Sequence, residues 1–101
     1  MAFDMFAGDS RDGIAHHEEF IFELAQAHPA RYRELLAIFR LFHDSPRLSA
    51  RQAGALVHEL IDLLAAHGGL ANKPLAAVVV RLLPFFSRAC RQDQDIRCSS
   101  D

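Results

Sequence analysis

Apolar side chains recur every three or four residues along most of the chain, which is the pattern of amphipathic helices. Four segments carry this pattern: residues 14–27, 29–43, 50–67 and 73–91. Short connections between helices favour antiparallel neighbours. The sequence therefore predicts an all-α fold, a small antiparallel four-helix bundle that forms one domain over residues 1–101. A loose N-terminal segment (1–13) and a flexible C-terminal tail (92–101) would flank the helices.

Residues that start or stop helices set the predicted boundaries. Asp12 or Ser10 could cap the first helix, which would begin near Ile14. Pro29 suits the first turn of the second helix, and Ser49 is a good N-cap for the third. The glycines at 68 and 69 would end the third helix.

The third and fourth predicted helices differ in regularity. In the third, one narrow apolar stripe contains Ala53, Leu56, Val57, Leu60, Ile61 and Leu64. His58 and Asp62 lie on its opposite, polar side. In the fourth, Pro84 lacks a backbone N–H, so we expect a kink about one turn before it.

The first two helices carry more apolar surface than one small core consumes. Phe20 and Phe22 project to the flanks of the first helix, Ile38 lies on a flank of the second, and Leu41 lies opposite its main stripe. An exposed apolar patch of this kind usually marks an interface. The four residues therefore predict contact with a second copy of the chain, with another protein, or with both. As an alternative, the N-terminal segment "FDMF" could fold over the first helix and cover them.

Composition narrows the choice of partner. The 101 residues carry a net charge of −2, which argues against a nucleic-acid partner and against a membrane partner. The N-terminus has no secretory signal, and no apolar run is long enough to span a membrane. We therefore expect a cytoplasmic protein in which Cys90 and Cys98 are reduced.

The stretch "HHEEF" (16–20) is the first candidate for chemistry. A metal site in a bundle needs inward-facing ligands from several helices, and His17, Glu18, His28 and His43 are the candidates. His17 and His28 are about 16 Å apart along one helix, too far to share an ion. The simpler interpretation is a solvated helix start whose glutamates favour the helix dipole.

The stretch "HELID" (58–62) begins like a zinc-protease motif, but Asp62 stands where that motif needs a second histidine. A surface ion pair between His58 and Asp62, four residues apart, is the expected role. No Gly-x-Ser-x-Gly motif and no phosphate-binding glycine loop is present.

These observations favour a non-enzymatic helical module that mediates protein–protein interaction. We expect it to form a homodimer and to bind no cofactor. The high arginine and alanine content suggests a bacterial origin. The excess apolar surface and the absence of a complete chemical motif then favour a small adaptor, antidote, immunity or regulatory protein. The alternative hypothesis is a helical bundle that binds a metal or a small ligand through inward-facing histidine and glutamate residues.

Overall fold

The computed structural model describes residues 3–100 and combines helices with a β-sheet. Over this range the elements in chain order are β1 (Phe3–Ala7), β2 (Ser10–Ile14), α1 (Phe20–Gln26), α2 (Arg33–Arg40), β3 (Arg47–Leu48), α3 (Ala50–Ala66), α4 (Lys73–Arg91) and β4 (Ile96–Ser100). Single 3-10 turns at His16–Glu18 and Gly69–Ala71 precede α1 and α4. The fold is α+β, and the predicted all-α four-helix bundle is wrong.

A β-hairpin replaces the predicted loose N-terminal segment. Phe3, Met5 and Ala7 are buried and alternate with half-exposed residues, which is the two-residue period of a strand with one covered face. Two residues join the strands, and the first of them, Gly8, has a φ of +58°, a conformation that favours glycine. The backbone after this turn forms β2, so a helix starting near Ile14 is also wrong.

The C-terminal residues form a central strand instead of a flexible tail. The strands lie in the order β2-β1-β4-β3, and all neighbouring pairs are antiparallel. β4 aligns Ser100 with Phe3 and Arg97 with Phe6. Ile96 and Cys98 point into the core, while Arg97 and Ser99 face solvent.

The first two helices are shorter than the apolar pattern predicts. Residues 28–31 form a turn, so Pro29 lies outside α2, which begins at Arg33. The side chain of Glu59 on α3 fixes this start, because its carboxylate accepts hydrogen bonds from the backbone N–H groups of Glu34 and Leu35 at 2.9–3.1 Å. A carboxylate at this end also interacts favourably with the helix dipole.

The predicted N-cap and end of α3 are confirmed, but its predicted apolar stripe is only partly right, because Ile61 is 50% exposed and Leu63 is fully buried. Ser49 caps α3, since its Oγ accepts the backbone N–H of Gln52 at 3.1 Å and the Gln52 side chain accepts the N–H of Ser49 at 2.9 Å. After α3, Gly68 has a φ of +105°, which ends the helix. α4 continues through Pro84 to Arg91. The kink at Pro84 stays a prediction.

One face of the sheet packs against the helices. The largest fully buried side chains come from both layers: Tyr32, Phe3, Phe22, Phe86, Met5, Ile14, Ile21, Leu35, Ile38, Leu56, Leu60 and Leu63. They belong to one cluster of buried apolar residues. The opposite face of the sheet carries half-exposed and exposed side chains along β1, β2 and β4.

Leu60→Ala is expected to lower the free energy of unfolding by about 2–5 kcal/mol, because truncation of a buried leucine leaves a cavity in the core. His58→Ala, on the exposed side of the same helix, should change it by less than about 0.5 kcal/mol. Urea unfolding of both variants measures the difference. Equal losses would mean that a different side of α3 faces the core.

Candidate interaction surface

The four candidate metal ligands do not form a site. His17, His28 and His43 are exposed, whereas Glu18 is buried and contacts Arg81. Within residues 3–100, no group of three or more His, Cys, Asp or Glu side chains is arranged to hold a metal ion. Asp62 forms an ion pair with Arg31 instead of the expected ion pair with His58, with 2.7 Å between Arg31 Nη2 and Asp62 Oδ2.

The residues predicted to form an apolar interface are mostly inside the protein. Phe22 and Ile38 are 0% and 1% exposed, and Phe20 is partly buried against the core. Leu41 remains 45% exposed. Phe22 and Ile38 are therefore unavailable to a partner in this structure, which corrects the prediction for these two positions.

Aromatic contacts explain how these side chains are covered. Phe22 stacks on Phe39 with a centroid distance of 5.3 Å and meets the edge of Phe42 at 5.9 Å. Phe3 on β1 stacks on Phe42 at 4.6 Å. Phe3 of the N-terminal segment therefore packs on this aromatic cluster through Phe42, whereas the alternative considered from the sequence had the segment lie over the first helix itself.

Arg81 on α4 joins three parts of the fold. Its guanidinium donates to both carboxylate oxygens of Glu18, to Asp12 Oδ1 at 3.1 Å and to the carbonyl of Gly13 at 2.6 Å. Glu18 also accepts the backbone N–H of Ala15 at 2.9 Å. The hydrogen bond from Arg81 lowers the pKa of Glu18, and Glu18 in turn raises the pKa of Arg81. Because these donors are already paired, Arg81 has a structural role.

The open face of the sheet carries a different set of charges. Strand register aligns Arg11 with Phe6, Phe6 with Arg97, and Arg97 with Arg47. One line across all four strands therefore reads Arg11, Phe6, Arg97 and Arg47, and we call these four residues the arginine row. Its three arginines are exposed, and Phe6 is half-buried at their centre.

Phe6 holds two of these arginines. The guanidinium carbons of Arg11 and Arg97 lie 5.4 Å and 5.3 Å from the centroid of its ring, over the ring plane. Since β2 and β4 flank β1, the two groups approach Phe6 from opposite sides. Cation–π contacts of this kind contribute about 0.5–1 kcal/mol each at exposed sites. They restrict two otherwise flexible side chains and leave their N–H edges facing solvent.

The arginine row has an excess of positive charge. Arg11 lies 3.6 Å from Asp4, and Arg47 lies 3.3 Å from Asp95. No carboxylate of residues 3–100 comes within ion-pair distance of Arg97. Arg47 and Arg97 are direct cross-strand neighbours, and like charges in such positions destabilise a sheet. The close placement of Arg47 and Arg97 therefore lowers the stability of the sheet. It also leaves positive charge that a negatively charged partner could neutralise.

Sequence reasoning missed the arginine row because its members are far apart in the chain. Only the alternation in "FDMFA" and "IRCSS" signals two strands, and each segment is five residues long. Without the strand register, nothing in the sequence associates Arg11, Arg47 and Arg97 with one another.

Within residues 3–100, no helix combines the length and the apolar character needed to cross a membrane. Comparisons of the chain with protein-family models, with curated proteins and with solved structures gave no match.

Proposed function

We propose that the protein is a non-enzymatic binding module whose arginine row recognises an acidic surface on another protein. The main support is the line of three exposed arginines on the open face of the sheet. One of them, Arg97, has no carboxylate partner among residues 3–100. Arginine is enriched at the centres of protein interfaces and pairs with carboxylates through two parallel hydrogen bonds. Complementary charge of this kind increases association rates and selects partners.

The geometry around Phe6 favours carboxylates over nucleic-acid bases. A sheet that binds single-stranded nucleic acid presents free aromatic faces on which bases stack. Here the guanidinium groups of Arg11 and Arg97 already lie over the Phe6 ring. The groups offered to a partner are guanidinium edges, which match carboxylate oxygens.

A second copy of the chain is a poor partner for this surface. In a two-fold symmetric dimer, each patch contacts the same patch on the other copy. Such contact would place the arginine rows against each other, and like charges in an interface are strongly unfavourable. The proposed partner is therefore a different protein with a cluster of aspartate or glutamate residues.

The cysteines agree with a binding role in the cytoplasm. Cys90 and Cys98 are both free thiols, the usual state in that compartment. Burial raises the pKa of Cys98 to about 12, so this thiol stays protonated and is not a reactive nucleophile.

Arg97→Glu is expected to weaken binding to an acidic chain by about tenfold or more, since charge reversal replaces an attraction with a repulsion at the centre of the arginine row. Fluorescence anisotropy of labelled poly-L-glutamate at fixed ionic strength measures the affinity. Arg33→Glu on α2 is the matched control, because Arg33 is also exposed but lies outside the sheet. It should bind like the parent protein.

Three results would contradict this proposal. The parent protein could fail to bind poly-L-glutamate, or the two variants could lose equal affinity, which would indicate a general charge effect. Tighter binding of oligothymidylate, with the same dependence on Arg97, would instead assign the surface to single-stranded nucleic acid.

A further inference from the structure

A shallow notch lies on the surface of α4 and includes no residue of the arginine row. Pro84, Ser87, Arg88 and Arg91 line it and enclose about 210 Å³. Ser87 and Arg88 follow Pro84 by three and four positions, and Arg91 follows them by four and three, so the residues share one side of the helix. We call these four residues the α4 notch. Pro84 lacks an N–H group, which leaves the carbonyl of Val80 without its helical hydrogen bond.

Two arginines of the α4 notch have unused donors. Arg88 donates one hydrogen bond, from Nη1 to Ser10 Oγ on β2 at 3.1 Å, which leaves most of its five N–H groups without a partner among residues 3–100. No carboxylate in this range forms an ion pair with Arg88 or Arg91. Arg81, two turns earlier on the same helix, is instead saturated by Glu18, Asp12 and Gly13.

The helix dipole accounts for part of this charge. Arg88 and Arg91 lie in the last turn of α4, where positive side chains favour the negative end of the helix. That effect requires neither a concave surface nor the bond that holds Arg88 against Ser10. The exposed Arg40 at the end of α2 illustrates the simpler case, since it interacts with a helix end and lines no notch described here.

A neighbouring groove is less suited to an anion. It encloses about 260 Å³ between β2 and α4, and the Asp12 carboxylate lines it together with Arg11, Arg81 and Arg88. Arg11 and Arg81 of this groove already have carboxylate partners. The α4 notch contains two guanidinium groups, one hydroxyl and no carboxylate. Positive charge is therefore least opposed in the α4 notch.

We infer that the α4 notch binds a phosphate monoester group. Such a group carries close to two negative charges at neutral pH, which matches Arg88 and Arg91, and its three terminal oxygens match forked guanidinium donors and the hydroxyl of Ser87. Pockets for whole drug-sized ligands usually exceed about 300 Å³, so this smaller notch holds one group of a larger molecule. That molecule is either a phosphorylated metabolite or a phosphorylated side chain.

Titration of ¹⁵N-labelled protein with inorganic phosphate at constant ionic strength tests this inference. We expect saturable shifts of the Ser87 amide and of the Arg88 and Arg91 Nε–H signals. Arg88→Gln and, independently, Arg91→Gln should each weaken the apparent affinity by about tenfold. Arg40→Gln is the matched control and should leave the affinity unchanged, because Arg40 is an exposed last-turn arginine of another helix.

Titrations with three further compounds show which class of molecule carries the phosphate group and whether binding needs two negative charges. O-Phospho-L-serine and glycerol 3-phosphate distinguish a phosphorylated side chain from a phosphorylated metabolite by their relative affinities. Acetate should bind at least tenfold more weakly than phosphate if the dianion is required. Linear shifts without saturation, or equal binding by Arg88→Gln and Arg40→Gln, would overturn the inference. The α4 notch shares no residue with the arginine row, so either proposal can fail alone.

Discussion

Removal of residues 96–101 is expected to leave the protein unfolded at room temperature. β4 lies between β1 and β3, so its loss leaves β3 without its partner in the sheet and removes one of the two strands that pair with β1. It also removes the buried Ile96 and Cys98 and uncovers Phe3 and Met5 on β1. Burial of one large apolar side chain contributes about 1.5–3 kcal/mol, and a domain of this size is stable by only about 5–15 kcal/mol.

Far-ultraviolet circular dichroism and amide NMR dispersion of the truncated protein measure this effect. Two point variants distinguish the loss of core packing from the loss of the strand itself, since neighbouring residues of β4 face the core and the solvent in turn. Ile96→Ala should lower the free energy of unfolding by about 2–5 kcal/mol. Arg97→Gln should change it by less than about 1 kcal/mol, because it loses the cation–π contact with Phe6 and also relieves the repulsion from Arg47. A truncated protein that melts like the parent would mean that the C-terminal residues are a dispensable tail.

Arg81→Leu is expected to lower the free energy of unfolding by about 2–4 kcal/mol. Removing one partner of a buried ion pair leaves the other charge without compensation, which costs about 3–5 kcal/mol in fully buried cases. Glu18 is only 6% exposed, but the side chain of Arg81 is 41% exposed, so water screens part of the effect. The hydrogen bonds of Arg81 to Asp12 and Gly13 are lost as well.

The double variant Glu18→Leu/Arg81→Leu is the control for this prediction. Replacing both members of a buried pair by apolar residues is often close to neutral, so the double variant should be more stable than Arg81→Leu alone. Urea unfolding of the three variants gives the coupling between the two positions. A double variant that is less stable than Arg81→Leu would contradict a buried, uncompensated charge as the cause.

The same pair predicts an acid dependence of stability. Arg81 lowers the pKa of Glu18 in the folded state below its ordinary value of 4.5. The stability that this carboxylate contributes is therefore fully present above pH 4.5 and is lost as the pH falls through the lower folded value. In Arg81→Leu, burial would dominate and raise the pKa, so this loss should shrink. Urea unfolding between neutral and acidic pH measures it, and an unchanged acid dependence would contradict it.

The sequence was sufficient for α3 and α4 because their signals are local. Ser49 and Gln52 form a capping box within four residues, and Gly68 ends the helix in a conformation that favours glycine. The apolar period between these limits extends over 17 residues in α3, enough to exclude a strand. Local hydrogen bonds and a long period therefore placed the two longest helices correctly.

The sheet could not be derived in the same way because its stabilising contacts are distant in the chain. Each of β1, β2 and β4 has five residues, and a period of two over five residues is a weak signal. The apolar residues of β1 become buried when β1 pairs with β4 and when Phe3 stacks on Phe42, and both of these partners are distant from β1 in the chain. The arginine row depends on strand register and was equally inaccessible.

The antiparallel pairing of β1 with β4 also determines when the protein can fold. Phe3 and Ser100 are register partners, so the two central strands of the sheet come from opposite ends of the described chain. Closing a loop of this length carries a length-dependent entropy cost of about 4 kcal/mol before the strands gain any contact. During synthesis, α3 and α4 are complete before β4 emerges from the ribosome. The sheet, and with it the arginine row, forms only as the last step of folding.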